Sequence, residues 1–300
     1  MTVRRLRNPS TTSRPGALVV LVSILLSGSA LGCGRSDTEK SGPNAPRIET
    51  TTSKVPHVHL PSDQVVVRVF TGGGYVPNES LLGSVASLTV YGDGTVIEPD
   101  LDGPQAPGQL IRFRTGRLSQ AQLEQLVARF ERSGLFNGSD VDFGDPRVTD
   151  MPSTSVTFRG PDAEPVQVSA YAFADEFNGR VDGAARHNRD VLARLLDWAD
   201  HVTKTDAPYQ PERVAVYGLE PQGEGDRPSA APAWPGPDLD RLLATDRHRF
   251  SWKCGVVYGK AVVPLVAAAG RSRGTAWSWN GNVHRLVLRT LLPGESECER

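Results

Sequence analysis

The sequence lacks an excess of charge of either sign. Its 33 Lys and Arg residues and 34 Asp and Glu residues give a formal net charge of −1. A chain with this balance carries no electrostatic footprint for nucleic acid or for an anionic membrane surface, so we expect no nucleic-acid partner. Charged residues at 22% and hydrophobic residues at 38% are typical of a globular protein and exclude a wholly disordered one.

The short motifs of the common hydrolases are also missing. There is no Gly-x-Ser-x-Gly elbow, no His-Glu-x-x-His zinc motif and no Ser-x-x-Lys motif. Residues 251–255 read SWKCG, which is only faintly similar to the Ser-x-Gly-Cys of peptidoglycan transpeptidases, because glycine does not precede the cysteine. We therefore predict no catalytic residue, no metal ligand and no cofactor. Since folding can assemble a site from dispersed residues, an envelope hydrolase or transferase around Tyr75, Asp142 or His284 stays the alternative.

A long hydrophobic run is the next absence. The longest apolar run spans residues 17–26 and is broken only by Ser23. A membrane-spanning helix needs about 20 apolar residues, whereas a run of about ten is typical of the core of a signal peptide. Four arginines and no acidic residue precede the run, which favours the cytoplasmic side for the extreme N-terminus. We interpret residues 1–32 as a signal peptide.

The run ends in a cysteine with small residues before it. Residues 30–33 read Ala-Leu-Gly-Cys and resemble a bacterial lipobox, although Ala30 stands where leucine is more usual. The resemblance implies that the Cys33 thiol is lipid-modified, as in palmitate-bearing lipoproteins, before cleavage makes Cys33 the first residue. Two or three acyl chains hold a protein durably on a bilayer. We expect an extracytoplasmic lipoprotein of the cell membrane; an ordinary secretory signal and an uncleaved anchor are the alternatives.

The segment after the cleavage site is polar and shows no sustained hydrophobic period. Residues 33–62 are rich in Pro, Ser and Thr, which predicts a disordered tether that stands the folded part off the membrane. Removal of residues 1–32 deletes four arginines and no acid, which lowers the net charge from −1 to −5. The tether holds His57 and His59, but two imidazoles without a third partner bind transition metals weakly.

Only two cysteines follow Cys33, at positions 254 and 298. In an oxidising compartment, an even pair within one folded region most often forms a disulfide. We therefore predict a Cys254–Cys298 disulfide. A nucleophilic Cys254 is the alternative, although no histidine motif accompanies it.

The pattern of the folded part predicts an α+β protein, with antiparallel hairpins packed on two amphipathic helices and a smaller strand-helix-strand C-terminal lobe. We place the N-terminal lobe at 63–205 and the C-terminal lobe at 206–300. Asp93-Gly94 indicates a hairpin turn, and Ser119 with Gln122 indicates a capping box. The predicted strands are 65–70, 86–91, 95–97, 109–115, 155–158, 166–171, 213–217, 254–258 and 283–290, and the predicted helices are 119–133, 184–202 and 260–269.

Three features that invite a functional interpretation each have a simpler one. The glycines of residues 72–74 are without the Lys-Ser/Thr continuation of a phosphate loop, so we interpret them as a turn. Residues 139–150 carry four aspartates, but glycine falls where a fifth-position EF-hand ligand belongs, so we expect an acidic surface loop. His187 and His201 lie near the ends of the second helix and are expected to be solvated or helix-end histidines.

Four short patches resemble a group of secreted actinobacterial proteins that have no assigned function. The patches are 72–77 (GGGYVP), 88–97 with its YGDG turn, 234–237 (WPGP) and 291–298 (LLPGESEC). The likeness covers about residues 64–298; those relatives read Arg-Pro-Leu-Leu-Pro near the end, where this chain has Thr290 for the first proline. Residues 86–171 also resemble a small domain of other bacterial lipoproteins. The resemblance supports the fold and the compartment only and carries over no catalytic residue. Separately, we expect a bilayer contact through acylated Cys33 and an unknown envelope protein or ligand as partner.

Overall fold

Two antiparallel sheets with helices packed on them make up the described part of the chain. The computed structural model describes residues 60–101, 108–138, 140–219, 231–244, 252–272 and 274–298. Its strands are β1 Val65–Gly72, β2 Leu88–Tyr91, β3 Thr95–Pro99, β4 Phe113–Arg117, β5 Ser153–Phe158, β6 Val166–Tyr171, β7 Ala207–Pro208, β8 Arg213–Leu219, β9 Lys253–Tyr258, β10 Ala276–Trp279 and β11 Asn282–Leu291. Its α-helices are α1 Asn78–Leu82, α2 Gln120–Arg132, α3 Asp175–Asn178, α4 Gly183–Val202, α5 Leu239–Leu242 and α6 Val262–Ala269.

The first sheet has seven strands in the order β6-β5-β1-β2-β3-β4-β7, and every pair is antiparallel. The β2–β3 hairpin turns at the predicted Asp93-Gly94 pair. Gly94 has a φ of 84°, and the Asp93 carboxylate accepts a 2.8 Å hydrogen bond from the Thr95 amide. Tight hairpin turns need a positive φ, which glycine adopts without strain, so this part of the prediction is confirmed.

A β-bulge in β1 sets which side chains face which side of this sheet. The β1–β2 register shifts between Val65 and Val67, so one extra residue interrupts the alternation. Val67 therefore faces the core formed with α2 and α4, whereas Val65 and Arg68 share the opposite face. The face of the sheet opposite the helices therefore carries a cationic side chain.

Both predicted helices of this layer are confirmed. The Ser119 hydroxyl accepts from the Gln122 amide, and the Gln122 side chain accepts from the Ser119 amide, which completes the capping box before α2. Gly134, just past the C-terminus of α2, has a φ of 74°. Buried residues of α2 and α4 pack on the sheet: Leu123, Leu126, Val127, Phe130, Leu192, Leu195 and Ala199.

The second sheet has four strands in the order β10-β11-β8-β9. Its core includes α6, where Pro264 is the third residue and therefore lies in the first turn, a position that proline tolerates. Trp234 also belongs to this core: it is buried, its ring meets the Trp277 ring edge-on at 5.6 Å, and its Nε1 donates to the Pro237 carbonyl at 2.7 Å. The predicted strand-helix-strand order is present, with β10 as an additional strand.

One predicted strand is misplaced. We expected a strand at 109–115, but β4 spans Phe113–Arg117. Its register with β3 pairs Pro99 with Phe113, and Leu110 instead lies buried in the core of the four-stranded sheet. Apolar and polar residues alternate at 109–115, but the segment is not a single strand. Its first part packs in one core and its last part belongs to β4.

The α+β class is confirmed, since both sheets are antiparallel and the helices cover them. The described residues belong to one compact unit, His57–Arg300. Leu292, just after β11, packs with Tyr91, Ile97 and Phe113 of the seven-stranded sheet. The division into lobes at 205 and 206 stays a prediction.

Candidate functional site

Three loops meet at one end of the seven-stranded sheet. Gly72, the last residue of β1, pairs with Ser153, the first of β5, and Ser153 pairs with Tyr171, the last of β6. Three segments continue from these strand ends, residues 73–77, 140–152 and 172–178. They therefore lie at the same end of the sheet. We call these three segments together the loop surface.

The buried guanidinium of Arg189 holds two of these segments together. Arg189 lies in α4 with no exposed surface. Its Nε donates to the Phe143 carbonyl at 2.6 Å, and its two terminal nitrogens donate to the carbonyls of Tyr171 and Ala172 and to the Asn178 side chain. Hydrogen bonds from a charged donor are stronger than neutral ones. One side chain thus fixes the relative position of two loops that are far apart in sequence.

The charge of Arg189 has no carboxylate in direct contact among its hydrogen-bond partners, which are carbonyl and amide oxygens. Burial lowers the pKa of the Arg189 guanidinium, and the nearby Asp145 carboxylate opposes that shift. The preferred protonated form is therefore stabilised mainly by backbone dipoles. This arrangement indicates a structural role for Arg189 in ordering the loops.

The Tyr171 hydroxyl adds a second clasp. It donates to the Val148 carbonyl at 3.0 Å and accepts from the Met151 amide at 3.2 Å. Non-glycine residues with positive φ gather here: Arg147 at 56°, Asp150 at 61° and Ala172 at 48°. Such conformations cost on the order of 1–3 kcal/mol each and persist only where surrounding contacts impose them. The loops are therefore held in one conformation by tertiary contacts.

The predicted glycine turn lies within the loop surface. Gly74 has a φ of 75°, and a Cβ at this position would lie 2.7 Å from the Asp150 carbonyl oxygen. The Tyr75 amide donates to that same carbonyl at 3.3 Å. Position 74 thus requires glycine because residues 74 and 150 of the backbone approach each other closely. The outcome is an aromatic side chain projecting outward, since Tyr75 is 88% exposed.

The carboxylates of the predicted acidic loop close their own turns. Asp142 Oδ1 accepts from the Gly144 amide at 2.7 Å, and Asp145 Oδ1 accepts from the Arg147 amide at 2.8 Å. Both side chains are on exposed residues. Within the described ranges, no group of three or more His, Cys, Asp or Glu side chains is placed to hold a metal ion.

The residues of the alternative enzyme site do not all belong to one part of the fold. Tyr75 and Asp142 are both on the loop surface, whereas His284 lies on β11 of the other sheet, opposite Trp277. In the described part of the chain, no hydrogen bond or ion pair joins any two of Tyr75, Asp142 and His284.

The two helix histidines lie where the sequence places them. His187 is exposed near the start of α4. His201 lies in its last turn, where Nδ1 is 2.6 Å from the Asp197 carbonyl oxygen. That backbone hydrogen bond, with the Asp197 charge, raises the pKa of the His201 imidazole. A cation here is favoured by the negative end of the helix.

A disulfide joins Cys254 on β9 to Cys298 after β11. Their Cα atoms are 6.0 Å apart, within the range that disulfide geometry requires. Both cysteines are buried beside Tyr217 and Leu291. The bond ties the C-terminal segment to an edge strand of the four-stranded sheet. The signal peptide, the tether and Cys33 lie outside the described residues, apart from the last part of the tether.

Sequence reasoning missed Arg189, although a signal was present. Ala185, Arg189, Leu192 and Ala199 occupy one helical stripe, in which an arginine interrupts an otherwise apolar face. A charged residue in such a stripe is either at the rim of the core or bonded inside it. The pattern alone could not distinguish these, because the accepting carbonyls come from distant loops.

None of the helices within the described residues is both long and apolar enough to span a membrane. No protein-family model, curated protein or solved structure matches the chain, so the likeness to secreted actinobacterial proteins stays a prediction.

Proposed function

We propose that the chain is an extracytoplasmic lipoprotein, anchored to a bacterial membrane by acylated Cys33, whose folded part is a non-catalytic binding module of the cell envelope. The observation that carries the proposal is the Cys254–Cys298 disulfide. The sequence has three cysteines, and two of them are bonded to each other. Neither of these two is therefore free to form a disulfide with Cys33, whose thiol is left for lipid modification. A buried disulfide is also typical of proteins folded in an oxidising compartment.

The loop surface supports the binding role. Binding residues are disproportionately found on loops that a rigid scaffold positions, and exposed aromatic side chains are common interaction anchors. Tyr75 is 88% exposed, while the backbone beneath it is fixed by the Asp150 carbonyl. The Tyr75 side chain therefore projects from a fixed position on the surface and does not pack in the core.

The anchor is tested by cell fractionation. Cys33→Ala removes the acceptor thiol, so we expect the variant to leave the membrane fraction or to accumulate as an unprocessed precursor. Cys33→Ser serves as a second variant of nearly unchanged volume. Unchanged membrane fractionation and unchanged mass of both variants would contradict the anchor.

The binding role is tested by site-specific crosslinking in intact cells. A photoreactive phenylalanine analogue at Tyr75 should give a discrete crosslinked product with an envelope component. The matched control is the same analogue at Val263, which is 64% exposed on α6. No product at 75, or the same product at both positions, would contradict a partner at the loop surface.

A further inference from the structure

A second polar cluster lies on the face of the seven-stranded sheet that is turned away from α2 and α4. Arg68 on β1 and Thr89 on β2 are direct partners in the antiparallel register, so their side chains are neighbours on this face. Tyr91, two residues after Thr89, points to the same side. The β1 bulge is what brings Arg68 here together with Val65.

Three polar atoms of this pair are not used in hydrogen bonds among the described residues. Arg68 Nε and Nη2 and Thr89 Oγ1 are shielded from solvent and have no hydrogen-bond partner in the part of the chain that the structure describes. Thr89 has no exposed surface at all. Nε–H and Nη2–H lie along one edge of the planar guanidinium, the edge that binds two oxygens of a carboxylate or phosphate at once.

The nearby acidic side chain is already engaged. Glu295 Oε2 accepts from the Leu292 amide at 3.1 Å and lies 3.6 Å from Nη1 of the buried Arg289. Arg289 Nη2 donates to the Tyr217 hydroxyl at 3.1 Å, and its Nε has no hydrogen-bond partner among the described residues. The Glu295 carboxylate is thus occupied by the Leu292 amide and the Arg289 guanidinium.

Tyr91 does not supply the missing negative charge. Its hydroxyl donates to the Pro293 carbonyl at 3.1 Å. Burial raises the pKa of Tyr91, and the Arg68 guanidinium beside it only partly offsets that rise. The phenol is therefore neutral at physiological pH, and the cluster keeps an excess of cation over anion.

Buried donors without acceptors are costly, at roughly 1–3 kcal/mol each and more for charged groups. An oxyanion satisfies all three donors and also balances the charge. The approach to them is from β5: Thr157 is the Cα partner of Arg68 on that strand, and both residues are partly exposed. Ser155 and Ser169, whose hydroxyls are 3.1 Å apart, continue this polar face toward the sheet edge.

We propose that Arg68 and Thr89 form a binding site for a small oxyanion, the carboxylate or phosphate group of a ligand that enters over the β5–β6 side of the sheet. The anion lies along the Nε–Nη2 edge of Arg68, and the Thr89 hydroxyl donates to one of its oxygens. The site is separate from the loop surface and does not depend on the membrane anchor.

The test is calorimetric titration of the full-length, detergent-solubilised protein with sodium phosphate and with sodium acetate, at constant ionic strength. We expect saturable binding of at least one of the two anions. The anion that binds more tightly identifies the ligand group as phosphoryl or carboxyl. Arg68→Gln should weaken that binding by about tenfold or more, because a charge-assisted pair is lost.

Three further variants make the test specific. Thr89→Val keeps the shape of the side chain, removes the hydroxyl and should weaken binding by about threefold to tenfold. Arg68→Lys keeps the charge but loses the two-nitrogen edge, so it should also weaken binding even if Arg68→Gln fails to fold. Arg112→Gln, on an exposed residue, should bind as the wild type does.

The proposal is overturned if neither anion gives saturable binding to the wild-type protein. It is also overturned if Arg68→Lys and Thr89→Val bind with wild-type affinity. An ordered water on Arg68 Nε and Thr89 Oγ1 in a crystal grown with both anions present would likewise contradict it.

Discussion

Arg189 Nε donates a 2.6 Å hydrogen bond to the carbonyl oxygen of Phe143, 46 residues earlier in the chain. The bond joins the middle of α4 to the loop that precedes β5. Together with the bonds to Tyr171 and Ala172, it lets one helix order the segments that surround Tyr75. The loop surface therefore depends on a residue that does not itself reach the surface.

Arg189→Met should destabilise the protein strongly. The substitution keeps much of the side-chain volume but removes the guanidinium donor to the carbonyls of Phe143 and Tyr171, whereas the Ala172 carbonyl still accepts from the Ala174 amide. At roughly 1–3 kcal/mol for each buried group left unsatisfied, the free energy of unfolding should fall by about 3 kcal/mol or more. Chemical denaturation measures the difference. Arg186→Met, on an exposed residue of the same helix, should stay within about 0.5 kcal/mol of the wild type. Equal effects of the two substitutions would contradict this role.

Gly74→Ala separates close approach from backbone conformation. Gly73 and Gly74 both have positive φ, so alanine at either position costs about 1–2 kcal/mol. Only at Gly74 does a Cβ meet another atom within 4 Å, the Asp150 carbonyl oxygen at 2.7 Å. Gly74→Ala should therefore lower the free energy of unfolding by about 1 kcal/mol or more beyond Gly73→Ala. Equal losses, measured by denaturation, would show that the loop yields at this contact.

Much of the fold could be predicted because the decisive signals are local. The Asp93-Gly94 turn and the Ser119 capping box each depend on residues close together in sequence, and the structure confirms them. The bulge in β1 is not of this kind, because its register is set by pairing with β2. The strand prediction at 109–115 was wrong for a similar reason, because Leu110 packs in the core of the four-stranded sheet.

The residues of the candidate sites were harder to predict because their partners are remote in sequence. Arg189 contacts loops about 11 to 46 positions away, and Arg68 has Thr89 as its neighbour only through sheet register. Tyr75 was named in the sequence analysis only as part of a dispersed enzyme site; the structure shows that it is exposed and follows Gly74, which packs against Asp150. The contacts of such residues come into view only in the folded chain.

Loss of the disulfide should destabilise the protein. The bond spans 44 residues, and cross-linking a loop of this size is worth about 4 kcal/mol in the chain-entropy model. Replacing both Cys254 and Cys298 with alanine should lower the denaturation midpoint, and reduction of the wild type should have a similar effect. Thiol titration of the native protein after secretion provides the check. Two reactive thiols in the folded protein would contradict the bridge.

His201 should make a pH-dependent contribution to stability. Its pKa in the folded state is raised above the ordinary 6.5 by the hydrogen bond to the Asp197 carbonyl. The contribution is therefore fully present below pH 6.5 and is lost as pH rises through the raised folded-state pKa. NMR titration should show a higher midpoint for His201 than 6.5, and His201→Gln should remove this part of the pH dependence. A midpoint at or below 6.5 would contradict the interpretation.

The anchor at Cys33 is the central claim, because it sets the compartment in which the disulfide and the loop surface operate. The most direct measurement is mass spectrometry of the N-terminal peptide of the wild-type protein extracted from membranes. We predict that the peptide begins at Cys33 and carries the added mass of a diacylglycerol group. A mature protein that begins elsewhere, or that begins at an unmodified Cys33, would contradict the account.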